Sequence, residues 1–249
     1  MMDKASAPLL SVAGLLAIWT LAATLAADPQ ILPSPLSLVE PFRRELMSGE
    51  LLHHLGATLW RVAWSFLLAM SIGTALGLAM GRSERVNRWL DPWLVIFLNL
   101  PALVLIVLCY LWIGLTEAAA IAAVTLNKIP NVATVIREGA RALDPNLDAM
   151  ARIYRMNAWS RFLNVTLPQL APYVTASARA GVAVIWKIVL VVEFLGRSSG
   201  IGFQIHLYFQ LFDVGMVLVY ALSFICVMLL VEWMVLQPWE RRVRRWRTA

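Results

Sequence analysis

The residues able to do chemistry are few, and most sit inside apolar stretches of a chain that is 60% hydrophobic and only 14% charged. Asn127-Lys128-Ile129-Pro130 sets an ammonium beside an amide and a proline, midway between Glu117 and Arg137. Asn99 stands two residues before Pro101, and Lys187 and Glu193 share one long apolar run but lie on different faces of a helix. A charge at the centre of a bilayer costs roughly 2.5–3.5 kcal/mol on insertion scales, so it should face protein, water or solute. One reading is a polar pathway formed by Asn99, Asn127, Lys128 and Lys187, with the lysines attracting an anion and Glu193 acting as a structural partner near an outer gate. The plainer reading has Lys187 and Arg179 reach for headgroups or pair with carboxylates, while the asparagines bond helices together.

Catalytic chemistry is not encoded. None of the three lysines follows a glycine, so there is no G-x-x-x-x-G-K-[ST] phosphate loop. His53 and His54 are adjacent and point to different helical faces, the wrong spacing for a shared metal, and His206 stands alone in an expected outer loop. Cys109 and Cys226 lie in apolar runs and carry no redox or metal framework. The chain is expected not to be an enzyme and to hold no cofactor.

The elements that position these residues follow from composition. Soluble domains average about 45–50% apolar and about 25% charged residues; the mean hydropathy of +0.72 here belongs to a membrane protein. Membrane helices need roughly 20 apolar residues to cross about 30 Å of hydrocarbon. That ruler gives six spans, at about 9–27, 55–80, 92–115, 117–136, 169–195 and 214–236, within a single domain covering 1–249. The third and fourth should form a tight hairpin. The first resembles a signal peptide in ending at Leu25-Ala26-Ala27, but it is longer than the usual 7–15 residue apolar core and is read as a retained span. Gly73, Gly77 and Gly81 form a ladder that permits close helix approach.

Lys/Arg asymmetry sets the orientation. With the N-terminus inside, the inner segments hold fourteen basic residues, including Lys4 and Arg241, Arg242, Arg244, Arg245 and Arg247, whereas the outer loops hold only Arg43, Arg44 and Arg197. Both termini are thus expected in the cytoplasm. The arginine-rich tail directly follows a span and reads as a membrane-surface anchor rather than a nucleic-acid patch. The longest inner segment, 137–168, contains Asp144-Pro145, a helix start. From there Leu147, Met150, Ala151, Tyr154 and Ala158 recur at helical spacing. Such a helix either lies on lipid headgroups or docks into a groove on a soluble partner.

This segment resembles the EAA loop of ABC-importer permeases, E-A-A-x-x-x-G-x9-I-x-L-P. Ala149-Met150-Ala151 takes the first triplet, Arg155 the glycine, Val165 the isoleucine, and Leu167-Pro168 the Leu-Pro. The replacements resemble the nitrate/sulfonate/taurine-like branch. So do Ile31-Leu32-Pro33-Ser34-Pro35, the segment Leu51 to Val62, Gly81-Arg82-Ser83, Leu90-Asp91-Pro92, and Glu193 followed by Ser199-Gly200-Ile201-Gly202-Phe203. Two positions depart: the branch usually has an apolar or aromatic residue at Lys128, and a Phe-Gly pair where Leu115-Thr116-Glu117 stands. The resemblance implies an all-α type I ABC-importer permease fold with six transmembrane helices and a cytoplasmic coupling helix made by Asp148, Ala149, Met150, Ala151, Arg152, Tyr154, Arg155, Met156 and Asn157. It further implies a bacterial inner-membrane location and a second permease copy, as a homodimer. Two ATP-binding subunits would supply the ATP and Mg, and a periplasmic binding protein would deliver a small anionic solute near the 28–54 and 196–213 loops. The rival from another class is a proton-coupled secondary carrier. It would need an intramembrane carboxylate relay, and internal inverted repeats are not evident.

Overall fold

The computed structural model describes residues 6–238, all of its regular structure helical. Lys4 and the basic tail 241–249 lie outside the described residues. Among the described residues eleven α-helices follow in order: α1 (Ser6–Ala26), α2 (Val39–Ser48), α3 (Glu50–Arg82), α4 (Glu84–Asn99), α5 (Ala102–Ile113), α6 (Glu117–Arg141), α7 (Pro145–Ile153), α8 (Ala158–Arg161), α9 (Leu167–Gly196), α10 (Ile201–Gln210) and α11 (Val214–Val231). Among the described residues, three helices are long and apolar enough to cross a bilayer: Glu50–Arg82, Glu117–Arg141 and Val214–Met234. The apolar part of α1 is shorter, and the 30-residue α9 carries Arg179, Lys187 and Glu193 along its length.

The stretch 92–115, expected as one span, is instead two helices bent by 100° at Leu100-Pro101. Counted together, α4 and α5 would make a fourth crossing. The cause is local. A residue preceding proline is driven out of the helical region, and Leu100 is extended, with ψ 125°. The Asn99 side chain turns back and donates to the Val95 carbonyl at 2.8 Å, inside its own helix. Gly114, with φ 83°, and Thr116, whose hydroxyl accepts from the Ala119 N–H at 3.1 Å, turn the chain so that α5 packs back on α6. The expected outer loop at 196–213 is mostly helical as α10, so His206 sits on a helix and not in a loop.

Contacts group the chain into two compact units. One comprises Met1–Thr58 and Glu193–Met228, the other Leu59–Val192 and Leu229–Ala249. In the second unit, α3 and α6 run parallel at backbone contact. A Cβ on Gly73 would lie 2.6 Å from Val132 Cβ, one on Gly77 2.5 Å from the Ala133 carbonyl, and one on Gly81 2.5 Å from Ala140 Cβ. Helix α9 runs antiparallel to α6, because Gly139 receives the Tyr173 ring while Gly181 receives the Lys128 stem. Val132, Ala133 and Ile136 are fully enclosed along this seam.

Two stability predictions follow from these close approaches and from one strained residue. Gly77→Val should lower the melting temperature of the detergent-solubilised protein sharply, because overpacking against backbone costs at least about 1–3 kcal/mol. Gly56→Ala is the control: a Cβ there meets nothing within 4 Å, so about 0.8–1.0 kcal/mol of helix propensity is gained. Arg155 holds a left-handed φ of 51° just after α7. Arg155→Gly should therefore stabilise by roughly 1 kcal/mol and Arg155→Val destabilise, read by thermal unfolding of the same preparation.

Candidate functional site

The loop helix α7 starts where the sequence places it. The Asp144 carboxylate accepts from the Asn146 N–H at 2.8 Å and Pro145 occupies the first turn. The helix stops earlier than expected, at Ile153, with Tyr154 as its cap. Arg155, Met156 and Asn157 lie beyond it, because the chain turns left-handed at Arg155. There the Arg155 N–H donates to the Arg152 carbonyl at 2.9 Å and the Met156 N–H to the Ala151 carbonyl at 3.0 Å. Asn157 then caps α8 through Ser160 N–H at 2.7 Å, and a π-helical turn, Phe162–Thr166, leads into α9.

Of the apolar positions at helical spacing, only Ala151 is buried. Leu147, Met150 and Ala158 are exposed, and Tyr154 is 75% exposed beside an equally open Ile153. Arg152 faces outward too and donates to Asp148 at 2.8 Å. That guanidinium holds the Asp148 carboxyl below the usual carboxylate range, and Arg161 approaches it at 3.5 Å. The result is a short capped helix with a rigid base and an uncovered mixed apolar and basic outer face.

The same unit holds four basic side chains in its apolar elements. Arg61, 2% exposed on α3, donates to both oxygens of Glu117 at 2.7 and 2.8 Å. Arg179 pairs with Glu232 at 3.3 Å, and Lys187 is exposed. Lys128 is different: it is 5% exposed, its stem lies against Gly181 of α9, and neither a carboxylate nor a hydrogen-bond acceptor pairs with it among the described residues. Asn127 is half-buried beside it, and its carbonyl receives Asn131 at 3.5 Å. Asn99 is committed to its own helix end. At the far end of α6, Arg137 donates to Asp91 and, at 2.9 Å, to Glu138.

Glu193 belongs to the first unit and is fully buried. Its carboxylate accepts from the Thr58 hydroxyl and from the Gly202 N–H, both at 2.9 Å, so it caps α10 from a helix that precedes it. A Cβ on Gly200, whose φ is 112°, would strike that carboxylate. His54 completes the anchor. The Gly200 N–H donates to Nδ1 at 3.0 Å, and Nε2 faces the side-chain amide of Gln204. These partners, like Glu117 for Arg61, escape sequence reasoning because they are distant in the chain. The available signal was that an enclosed arginine or carboxylate requires one.

The family described as "Binding-protein-dependent transport system inner membrane component" matches residues 69–244. The chain is 30% identical to the "Putative aliphatic sulfonates transport permease protein SsuC" of Bacillus subtilis over 242 residues, covering 97% of this chain and 87% of that protein. It is 32% identical to the Escherichia coli protein of the same description over 202 residues, 79% of this chain and 75% of that one. Among solved structures, an inward-facing MetNI methionine ABC transporter chain superposes with a TM-score of 0.67 at 17% identity, covering 81% of this chain and 98% of that chain. The parallel α3–α6 seam and the capped loop helix thus occur in a chain that belongs to the family of inner-membrane components of binding-protein-dependent transport systems.

Proposed function

We propose that this chain is the pathway-forming permease subunit of an ATP-driven importer in a bacterial inner membrane. It is a single permease domain over 1–249 that crosses the membrane six times, with both termini in the cytoplasm and the broken α4–α5 pair counted as the third crossing. Two copies pair. Each receives an ATP-binding subunit, which carries the ATP and Mg, on the outer face of α7, and a periplasmic binding protein delivers the solute to the opposite side. The solute is a small anion of the aliphatic sulfonate kind. Asn127 and Lys128 line its path, while Lys187 and Asn99 lie nearer the periphery and Glu193 holds the outer helix α10 in place.

The observation that carries this reading is the uncovered face of α7. Leu147, Met150, Ile153 and Tyr154 would not remain exposed beside Arg152 on a helix capped at both ends unless another surface covers them. A groove on a soluble ATPase suits that mixture of apolar anchors and a fixed guanidinium. The secondary-carrier alternative lacks support at the site: Glu117, Glu193 and Glu232 are each engaged by a partner and none is free to relay protons.

Coupling through α7 has a direct test. Tyr154→Asp or Arg152→Glu, in the importer assembled with its ATPase pair and binding protein, should cut ATP-dependent uptake at least about tenfold while basal ATP hydrolysis persists. That corresponds to about 1.4 kcal/mol or more of lost coupling. Uptake at the wild-type rate with the complex intact would overturn the assignment of α7.

A further inference from the structure

Among the four basic groups in the apolar elements of the second unit, Lys128 alone is both enclosed and without a counter-charge among the described residues. Arg61 and Arg179 have carboxylates, and Lys187 is exposed. The Lys128 side chain is enclosed while its nitrogen keeps some accessible surface, and an ammonium held there without a counter-charge is costly. A bound anion would supply the missing partner.

Two further side chains are unsatisfied in the same region. The hydroxyls of Ser65 and Thr125 are buried with no hydrogen-bond partner, although buried polar groups are nearly always bonded. Thr125 lies one turn before Lys128 on the same face of α6. The α3–α6 register, fixed by Gly73 against Val132 and Gly81 against Ala140, puts Ser65 two turns further back, level with Val124 and Thr125. Gly181 gives the Lys128 stem its room: a Cβ there would lie 3.3 Å from Lys128 Cε.

We infer that Lys128, Thr125 and Ser65 form an intramembrane station for the oxyanion group of the transported solute, and that this station selects a monovalent oxyanion. One ammonium and two hydroxyl donors match a group with a single negative charge spread over two or three oxygens, such as a sulfonate, nitrate or bicarbonate. A dianion would keep one charge uncompensated in an apolar seam, and a neutral or cationic solute would leave the ammonium unpaired. This inference rests on the reading of the chain as an importer permease.

The test uses the permease with its ATPase pair in lipid nanodiscs, labelled with 15N-lysine in the permease alone. The permease has three lysines, so the Lys128 Nζ resonance is assigned by its loss in Lys128→Arg. Methanesulfonate should shift that resonance saturably, with or without ATP, whereas the neutral isostere dimethyl sulfone should not. Thr125→Val should weaken the methanesulfonate response about tenfold, the loss of one hydrogen bond to a charged group. The station is overturned if the resonance stays fixed with methanesulfonate, nitrate and bicarbonate alike, if dimethyl sulfone moves it equally, or if Thr125→Val leaves the response unchanged. The underlying reading fails separately, if the chain taken from its native membrane brings no ATP-binding pair with it.

Discussion

The backbone contact between α3 and α6 is the constraint on which the second unit depends. In lipid no hydrophobic force drives helices together, so their association relies on close packing. Gly73, Gly77 and Gly81 let the two backbones meet where any side chain would collide with Val132, the Ala133 carbonyl or Ala140. That contact fixes a parallel register. It sets Arg61 where Glu117 can bond it bidentately, and it holds the α6 face bearing Lys128 in the interior.

A second constraint acts on every charge that this packing encloses. Unpaired charges in an apolar seam are costly, and the structure resolves most of them by pairing, Arg61 with Glu117 and Arg137 with Asp91. Glu193 in the first unit is resolved by neutral donors, a hydroxyl and a backbone N–H at the start of α10. The same N–H is an orphan of a helix terminus, so one carboxylate satisfies two needs. Lys128 stands out only against this background of settled charges.

Much of this was legible in the sequence, for identifiable reasons. Spans such as α3 and α6 declare themselves because twenty apolar residues have few other uses. Asp144-Pro145 is a local cap signal, and α7 begins there. What was not legible depends on distant partners. Asn99-Leu100-Pro101 signals a loosened helix, but the 100° turn arises with α5 packing back on α6. Helix α10 reads as loop because its glycines dominate locally, while its cap and its anchor come from Glu193, Thr58 and His54. Arg155 gives no sign of a left-handed turn by itself; only alignment with a pattern that carries glycine there marks the position.

The route from α7 into the bundle is short. Only Ala142, Leu143 and Asp144 separate α6 from α7. The Asp144 N–H donates to Gln169 of α9 at 2.9 Å, and Arg82 at the end of α3 donates to Thr166 at 2.5 Å, just before α9 begins. All three helices of the seam are therefore tied to the loop that bears α7. Tyr173 fills the notch at Gly139, so α6 and α9 are keyed to each other close to that end. If α7 is the docking helix proposed above, a displacement imposed on it would enter α6 and α9 together, passing Pro130 on the way to Lys128 and Pro172 on the way to Gly181, where each helix lacks a backbone hydrogen bond. Closely packed helices have discrete arrangements rather than a continuum. The glycine contacts that permit the seam also limit how it can shift.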